Sequence, residues 1–104
     1  MEFDFSKFSS KDRYKLLSST VIPRPIALVS TIDENGVCNS APYSFFNVFA
    51  EDPATCVIGI AKRLDGGRKD TSRLIRESGE FVVNMVDMDI AEGMNISAID
   101  FAPE

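Results

Sequence analysis

Five of the eleven Lys and Arg residues, Lys62, Arg63, Arg68, Lys69 and Arg73, fall between positions 62 and 73 of a chain whose net charge is −5. Gly66 and Gly67, inside that cluster, permit a tight loop. Asp70 or Thr71 is placed to cap a helix running through Leu74 and Ile75 to Gly79. A helix N-terminus offers backbone N–H groups and the positive end of the helix dipole, so with Arg68 and Lys69 just ahead of it the segment suits a phosphate. The hydroxyls of Thr71 and Ser72 add further donors. The same charges equally suit a solvated loop beside an ordinary capped helix. The stretch GGRKDTS lacks the GxxxxGKS or GxxxxGKT spacing of a P-loop, so nucleotide hydrolysis of that kind is not indicated.

A second stretch, APYSFFNVF from Ala41 to Phe49, holds three Phe and one Tyr with Pro42, Ser44 and Asn47 among them. If extended, Tyr43, Phe45, Asn47 and Phe49 point one way and Ser44, Phe46 and Val48 the other. Both faces are then largely apolar, and each carries one polar group. That pattern suits a strand buried on both sides, and equally a wall of a flat, apolar ligand site with a few directed polar contacts.

The absences narrow the chemistry. With no His in the chain, neither a Ser-His-Asp nor a Cys-His hydrolytic arrangement is available within it, and the commonest zinc ligand is missing. Cys38 and Cys56 form no CxxC and sit in strand-like runs, so small buried thiols are expected and a metal site is not. An acidic chain with a pI near 4.7 is a poor partner for nucleic acid or an anionic membrane. No apolar run is long enough to span a bilayer, and the opening MEFDFSKF lacks the order of a signal peptide, which makes cytoplasm the expectation. A length of 104 residues means one small domain with much of its surface exposed.

The elements that must position these stretches follow from pattern. SSKDRYKLLSS reads as a short helix capped by Ser9 or Ser10, with Tyr14, Leu17 and Leu16 inward. IALVSTI, Ile26 to Ile32, is a strand, and DENG, Asp33 to Gly36, returns the chain through VCNSAPYSF as a β-hairpin. EDPA turns the chain again, TCVIGIA is a third strand, and EFVVNMV is a fourth after the helix. In the tail DMDIAEGMNISAI, the Asp89-x-x-Glu92 spacing suggests a capping box and another short helix. Consecutive strands with few helices favour an antiparallel barrel or sandwich over a doubly wound sheet. Among single residues, Arg24 suits either a phosphate contact or, at least as well, pairing with an acidic neighbour; Asn84 suits a bond across the sheet with no ligand in reach; and Asn47, better placed for a ligand, equally suits a buried strand Asn satisfied by backbone.

Taken in order and spacing, IPRPIALVSTIDENG, NSAPYSFFNVFAEDP, GRKDTSRLI and GEFVVNMV resemble the flavin reductase-like family with the FMN-binding split-barrel fold. The resemblance implies a mainly β protein with short helices, an antiparallel split β-barrel, and a homodimer with FMN near the subunit interface. Family members are nearly twice this length, so residues 1–104 are expected to be the N-terminal portion of one such domain and the barrel to be incomplete. Carried over by motif, Ala41, Pro42, Tyr43, Ser44, Phe45 and Asn47 would lie along the isoalloxazine. Arg68, Lys69, Asp70 and Thr71 would hold the phosphate, and Ser30 and Thr31 would flank the ring or ribityl chain. The implied activity is that of an NAD(P)H:flavin oxidoreductase, with NADH or NADPH as donor and reduced flavin passed to a monooxygenase partner. Hydride transfer to the flavin needs no acid or base side chain, so no catalytic residue is named. The alternatives are an electron-transfer FMN-binding protein, and a protein without flavin in which Tyr43 to Phe49 is core and the basic loop is solvated.

Overall fold

Asp33 builds the turn that starts the sheet. Its Oδ1 accepts from the N–H groups of Asn35 and Val37, both at 2.8 Å, while Gly36 takes the positive φ of 83° that such a turn requires. The strands on either side are β1 (Ala27–Ile32) and β2 (Cys38–Tyr43), antiparallel from Ala27 opposite Tyr43 to Ile32 opposite Cys38. The computed structural model describes residues 1–98, and the hairpin expected from DENG is present in it.

The expected single strand through APYSFFNVF is broken. The chain bends at Ser44 and Phe45, leaves β2, and begins β3 (Phe46–Glu51) in a second sheet with β4 (Ala54–Ile58). A bulge between Val48 and Ala50 leaves Phe49 as the extra residue, 80% exposed. The alternation expected for a strand buried on both sides therefore does not hold, because Phe46 and Ile58 of the β3–β4 ribbon pack against the core while Val48, Phe49 and Val57 stay exposed.

After β4 the chain crosses back through α2 (Asp70–Ser78) to β5 (Val82–Met85), which pairs with the free side of β1. The strand order is β2-β1-β5, so β1 is central although it comes first. Its alternate residues Ala27, Val29 and Thr31 are buried, and with Tyr43 of β2 they form the floor of the core. Ile75 of α2 packs against this cluster, and Leu74 on the same helix is buried as well. Gly79 ends α2 in the left-handed conformation, as expected, with its N–H bonded to the Ile75 carbonyl at 2.8 Å.

The remaining helices are peripheral. In α1 (Ser10–Thr20), Ser9 is the cap, its Oγ accepting from the Asp12 N–H at 3.1 Å. The inner face expected for this helix is only partly realised: Leu16 is half-buried, while Tyr14 and Leu17 are exposed, because α1 meets the rest of the chain mainly where Tyr14 packs 5.7 Å from the Phe45 ring. The tail helix α3 (Ala91–Ser97) lies against β2 but lacks the expected Asp89–Glu92 capping box. Ile90 is the N-cap, without a side-chain bond, and Asp87 instead closes the turn ahead of the helix, its Oδ1 accepting from the Asp89 and Ile90 N–H groups at 3.1 and 3.2 Å. Ile99, the end of the expected tail segment, lies outside the described residues.

Both thiols are exposed, contrary to the buried positions expected of them. Cys38 begins β2 beside the solvated turn, and Cys56 sits on the uncovered β3–β4 ribbon. The five strands do not close into a barrel among the described residues, and their two sheets leave apolar side chains such as Val48, Val82 and Met85 open to solvent.

Candidate functional site

The basic segment folds into a closed loop that leads directly into α2. Arg63 accepts at its carbonyl from Gly66 N–H at 2.9 Å and donates its own N–H to the Gly67 carbonyl at 2.8 Å, with the Asp65 carboxylate accepting from Gly67 N–H at 2.8 Å. The chain leaves this loop through Arg68, and Lys69 takes the N-cap position with extended backbone, φ −66° and ψ 149°.

The expected cap by Asp70 or Thr71 is not formed. Both residues are already inside the helix, and each side chain is drawn elsewhere: Asp70 towards Arg73 at 3.5 Å, and Thr71 towards Asn39 of β2 at 3.2 Å. Among the described residues, no side chain caps the first N–H groups of α2. The helix thus presents unbonded donors and its positive dipole end at a place where Lys69 and Arg63 also converge.

At that place is a cavity of about 310 Å³, within the size range of small-molecule sites. Its floor is the run Asn39 to Tyr43, and its walls are Arg63, Lys69 to Thr71, and Ser97 with Ala98 at the end of α3. Successive strand residues face opposite sides, so a cavity that touches five in a row lies along the outer margin of β2, which is an edge strand among the described residues. Lys69 Nζ stands 5.8 Å from the Tyr43 ring centre, joining the charged end to the aromatic end by a cation–π contact.

A larger cleft of about 850 Å³ opens on the other side of Asn39 and Asp70, between the 33–37 turn and α2. Asp33, Glu34, Asp70 and Glu77 line it with Arg73, whose guanidinium is bridged to Glu77 at 3.1 Å and to Asp70 at 3.5 Å. The hydrogen bond to Glu77, aided by the charges of Glu77 and Asp70, raises the Arg73 pKa above its ordinary value. The cleft is the bigger of the two but acidic, with its one Arg already paired; the smaller cavity is where the basic cluster and the APY run meet.

Of the twelve residues singled out from sequence, six line this smaller cavity: Ala41, Pro42, Tyr43, Lys69, Asp70 and Thr71. Ser44 and Phe45 form the adjoining corner, where Ser44 Oγ accepts from Arg24 at 3.3 Å and the Phe45 carbonyl accepts from Gly59 N–H at 2.7 Å. Asn47 is exposed on β3, its Oδ1 accepting from the next N–H at 2.8 Å. Ser30 points to the opposite face of β1 from Ala27 and Val29, bonded by Asn84 Nδ2 at 2.8 Å and 3.3 Å from Ser40 Oγ. Thr31 is 4% exposed, and its hydroxyl has no hydrogen-bond partner among the described residues. Arg68 is exposed and outside both cavities.

Asn84 bonds across the sheet as expected, also donating to the Leu28 carbonyl at 2.9 Å. Arg24 does not pair with an acid: it donates to the carbonyls of Ser18 and Val21, the open end of α1, which needs donors just there. Five cavity residues lay outside the sequence reading of the site. Asn39 and Ser40 immediately precede the APY run and Arg63 belongs to the basic cluster, so each carried a local signal. Ser97 and Ala98 carried none, because only the packing of α3 against β2 brings them there.

The flavin reductase like domain family matches residues 18–104. The Bacillus subtilis (strain 168) protein YwrF is 47% identical over 102 residues, covering 98% of this chain and 49% of its own length. Among solved structures, nitrilotriacetate monooxygenase component B from Bacillus cereus shares 39% identity with a TM-score of 0.88, over 99% of this chain and 50% of that one. The 2-nitrobenzoate 2-nitroreductase NbaA of Pseudomonas fluorescens shares 42% identity with a TM-score of 0.83, over 97% and 48%. The chain spans about half the length of the curated relatives it matches. Its strands form the antiparallel split-barrel fold, left open. On the match across residues 18–104 and on identity with these relatives over nearly its whole length, the chain belongs to the flavin reductase-like family.

Proposed function

We propose that the chain is the FMN-holding part of an NAD(P)H:flavin oxidoreductase, and that the cavity beside β2 is its flavin site. The observation that carries this reading is the convergence, in a chain of this family, of the uncapped N-terminus of α2, the cations Lys69 and Arg63, and the run Ala41–Tyr43 on one cavity. The donor set fits FMN. The α2 amides, Lys69 and the Thr71 hydroxyl are hydrogen-bond donors suited to a phosphate dianion, with Arg68 at the entrance from the loop. Ala41, Pro42 and Tyr43 offer a flat apolar strip for the isoalloxazine, extended by Ser44 and Phe45 at the corner. Asp70 is an acceptor and does not bind phosphate directly; held by Arg73, it serves to fix the start of the helix.

Bound FMN supplies hydride acceptance, and NADH or NADPH supplies the hydride. The chain's residues bind and orient the ring and keep one of its faces clear; none of them has to move a proton. Reduced flavin delivered to a monooxygenase is the favoured outlet, since one relative is named as a component of nitrilotriacetate monooxygenase. The relative named as a nitroreductase makes direct reduction of a bound acceptor the other outlet to assay. A cytoplasmic homodimer is part of the same proposal.

Titration of the chain with FMN and riboflavin tests this. Replacing Lys69 by Ala should weaken FMN by roughly 10- to 100-fold and riboflavin far less, because only FMN carries the phosphate and a charge-assisted bond is worth about 1.5–3 kcal/mol. Equal losses for the two ligands would remove Lys69 from the phosphate. FMN binding without NADH or NADPH oxidation would turn the reading from reductase to electron-transfer protein.

A further inference from the structure

We infer that Asn39 is a positioning residue for phosphate recognition: by donating to the Thr71 hydroxyl oxygen, it turns the hydroxyl proton of Thr71 towards the cavity. The inference rests on the reading of the cavity as a flavin-phosphate site, and it assigns Asn39 a role exerted through Thr71.

The argument starts from inventory. A threonine hydroxyl has one proton to donate and two lone pairs to accept with, whereas an amide nitrogen only donates. Asn39 Nδ2 lies 3.2 Å from Thr71 Oγ1 and donates to it. One lone pair of Thr71 is thereby used, and its single proton is left for another acceptor. Thr71 is 1% exposed, so bulk water does not compete for that proton. Thr71 is the second residue of α2, so no helical turn precedes it to offer an i−4 carbonyl, and the cavity is the place where an acceptor can meet it. The Gly67 carbonyl, four residues before Thr71, accepts from Arg63 N–H within the loop.

Asn39 is suited to the task by position. It sits on β2 opposite Thr31, 32 residues from Thr71 in sequence, and it forms part of the partition between the basic cavity and the acidic cleft. The bond therefore also fixes the first turn of α2 against the sheet, at the end of the helix whose amides face the cavity. Without it, Thr71 loses its bond to β2, leaving the Asp70–Arg73 pair and the packing of Ile75 on the core to hold the helix start.

A double-mutant cycle on the ratio of FMN to riboflavin affinity is the test, read by flavin fluorescence on the 104-residue chain. Asn39→Ala should reduce the preference for FMN roughly three- to tenfold. Thr71→Val should reduce it by at least as much, and Asn39→Ala added to Thr71→Val should reduce it no further. Because the readout is a ratio, a variant that merely folds less loses both ligands together and leaves the ratio unchanged; Asn39→Ser, smaller and still polar, is the companion variant for that case, and should keep part of the preference. Full, additive losses in the two backgrounds would overturn the coupling, as would an Asn39→Ala chain with unaltered preference. If the unmodified chain binds FMN and riboflavin equally, the phosphate reading itself fails, and the role of Asn39 falls with it.

Discussion

The guanidinium of Arg24 stands 5.6 Å from the centre of the Phe45 ring and donates to Ser44 Oγ at 3.3 Å, so one side chain grips both residues at which the chain turns from one sheet to the other. The same group donates to the Ser18 and Val21 carbonyls at the end of α1. Arg24 is the rivet between the helix and the corner that carries the aromatic run away from the cavity floor.

Arg24→Ala should lower the unfolding free energy by about 1–3 kcal/mol, through lost cation–π contact and unpaired helix carbonyls. Arg24→Lys should recover less than half, since a point charge cannot reach carbonyls, hydroxyl and ring at once. Urea denaturation midpoints compare the three chains. A Lys variant as stable as the parent would show that charge alone holds the corner.

Two glycines should respond oppositely to alanine. At Gly59 a Cβ would stand 3.1 Å from the Phe45 Cβ, against the corner just described, so Gly59→Ala should destabilise by about 1 kcal/mol or more. Gly93, inside α3, has nothing within 4 Å, and Gly93→Ala should stabilise by roughly 0.5–1 kcal/mol through helix propensity alone. Thermal melts of both variants side by side give the signs; a gain at Gly59 would mean that β4 does not approach the corner so closely.

Much of this was legible in the chain, and the reasons it was not elsewhere are physical. The turn at Asp33–Gly36, the Ser9 cap and the Gly79 stop are made by neighbours in sequence, and all three stand as read. The bend at Ser44–Phe45 is held by Arg24 and by the Gly59 N–H, both distant in sequence, and alternation along the strand carries no sign of such contacts. At α2 the cap position falls on Lys69, so Asp70 and Thr71, good capping residues by type, lie inside the helix, and Thr71 Oγ1 accepts from Asn39, 32 residues away. At the tail, the Asp89-x-x-Glu92 spacing does not become a capping box, because Asp89 lies in the turn before the helix, where its own N–H is bonded by Asp87. Periodicity marks which strand faces are apolar, but not which of them receives a covering layer, and so the exposed Cys38 and Cys56 were expected inside.

Acid should reach Asp4 late. Its carboxylate accepts from Ser6 Oγ at 2.6 Å and from Ser6 N–H at 3.0 Å, and these bonds, the side-chain one first, hold its pKa below the ordinary 3.8. A depressed folded-state pKa contributes stability that is present above 3.8 and lost as pH falls through the lower folded value. The group is on the surface, so the effect is local to the turn at Phe5–Lys7. A carbon-detected NMR titration should place the Asp4 midpoint under 3.8, and Ser6→Ala should move it upward; a midpoint at or above 3.8 in the parent chain would contradict the bonds described.

The chain should associate. Val48 and Phe49 on the β3–β4 ribbon are 68% and 80% exposed, and Val82 and Met85 of β5 lie open as well, so both sheets offer apolar side chains for a second copy to cover. Sedimentation equilibrium over a dilution series should show dimer or higher oligomer at micromolar concentration, with far-UV circular dichroism falling as the complex dissociates. A cooperatively folded monomer at low micromolar concentration would refute this.

The position of β2 at the rim of its sheet has a consequence for how the chain keeps company. A strand margin is an invitation to any other extended segment, which would add itself by backbone hydrogen bonds alone. The cavity runs along that margin, from Asn39 to Tyr43. Whatever small molecule sits there occupies the track a trespassing strand would need, so the ligand doubles as a chaperone of the edge, and aggregation through β2 becomes a competitor of binding, suppressed in proportion to how fully the site is filled.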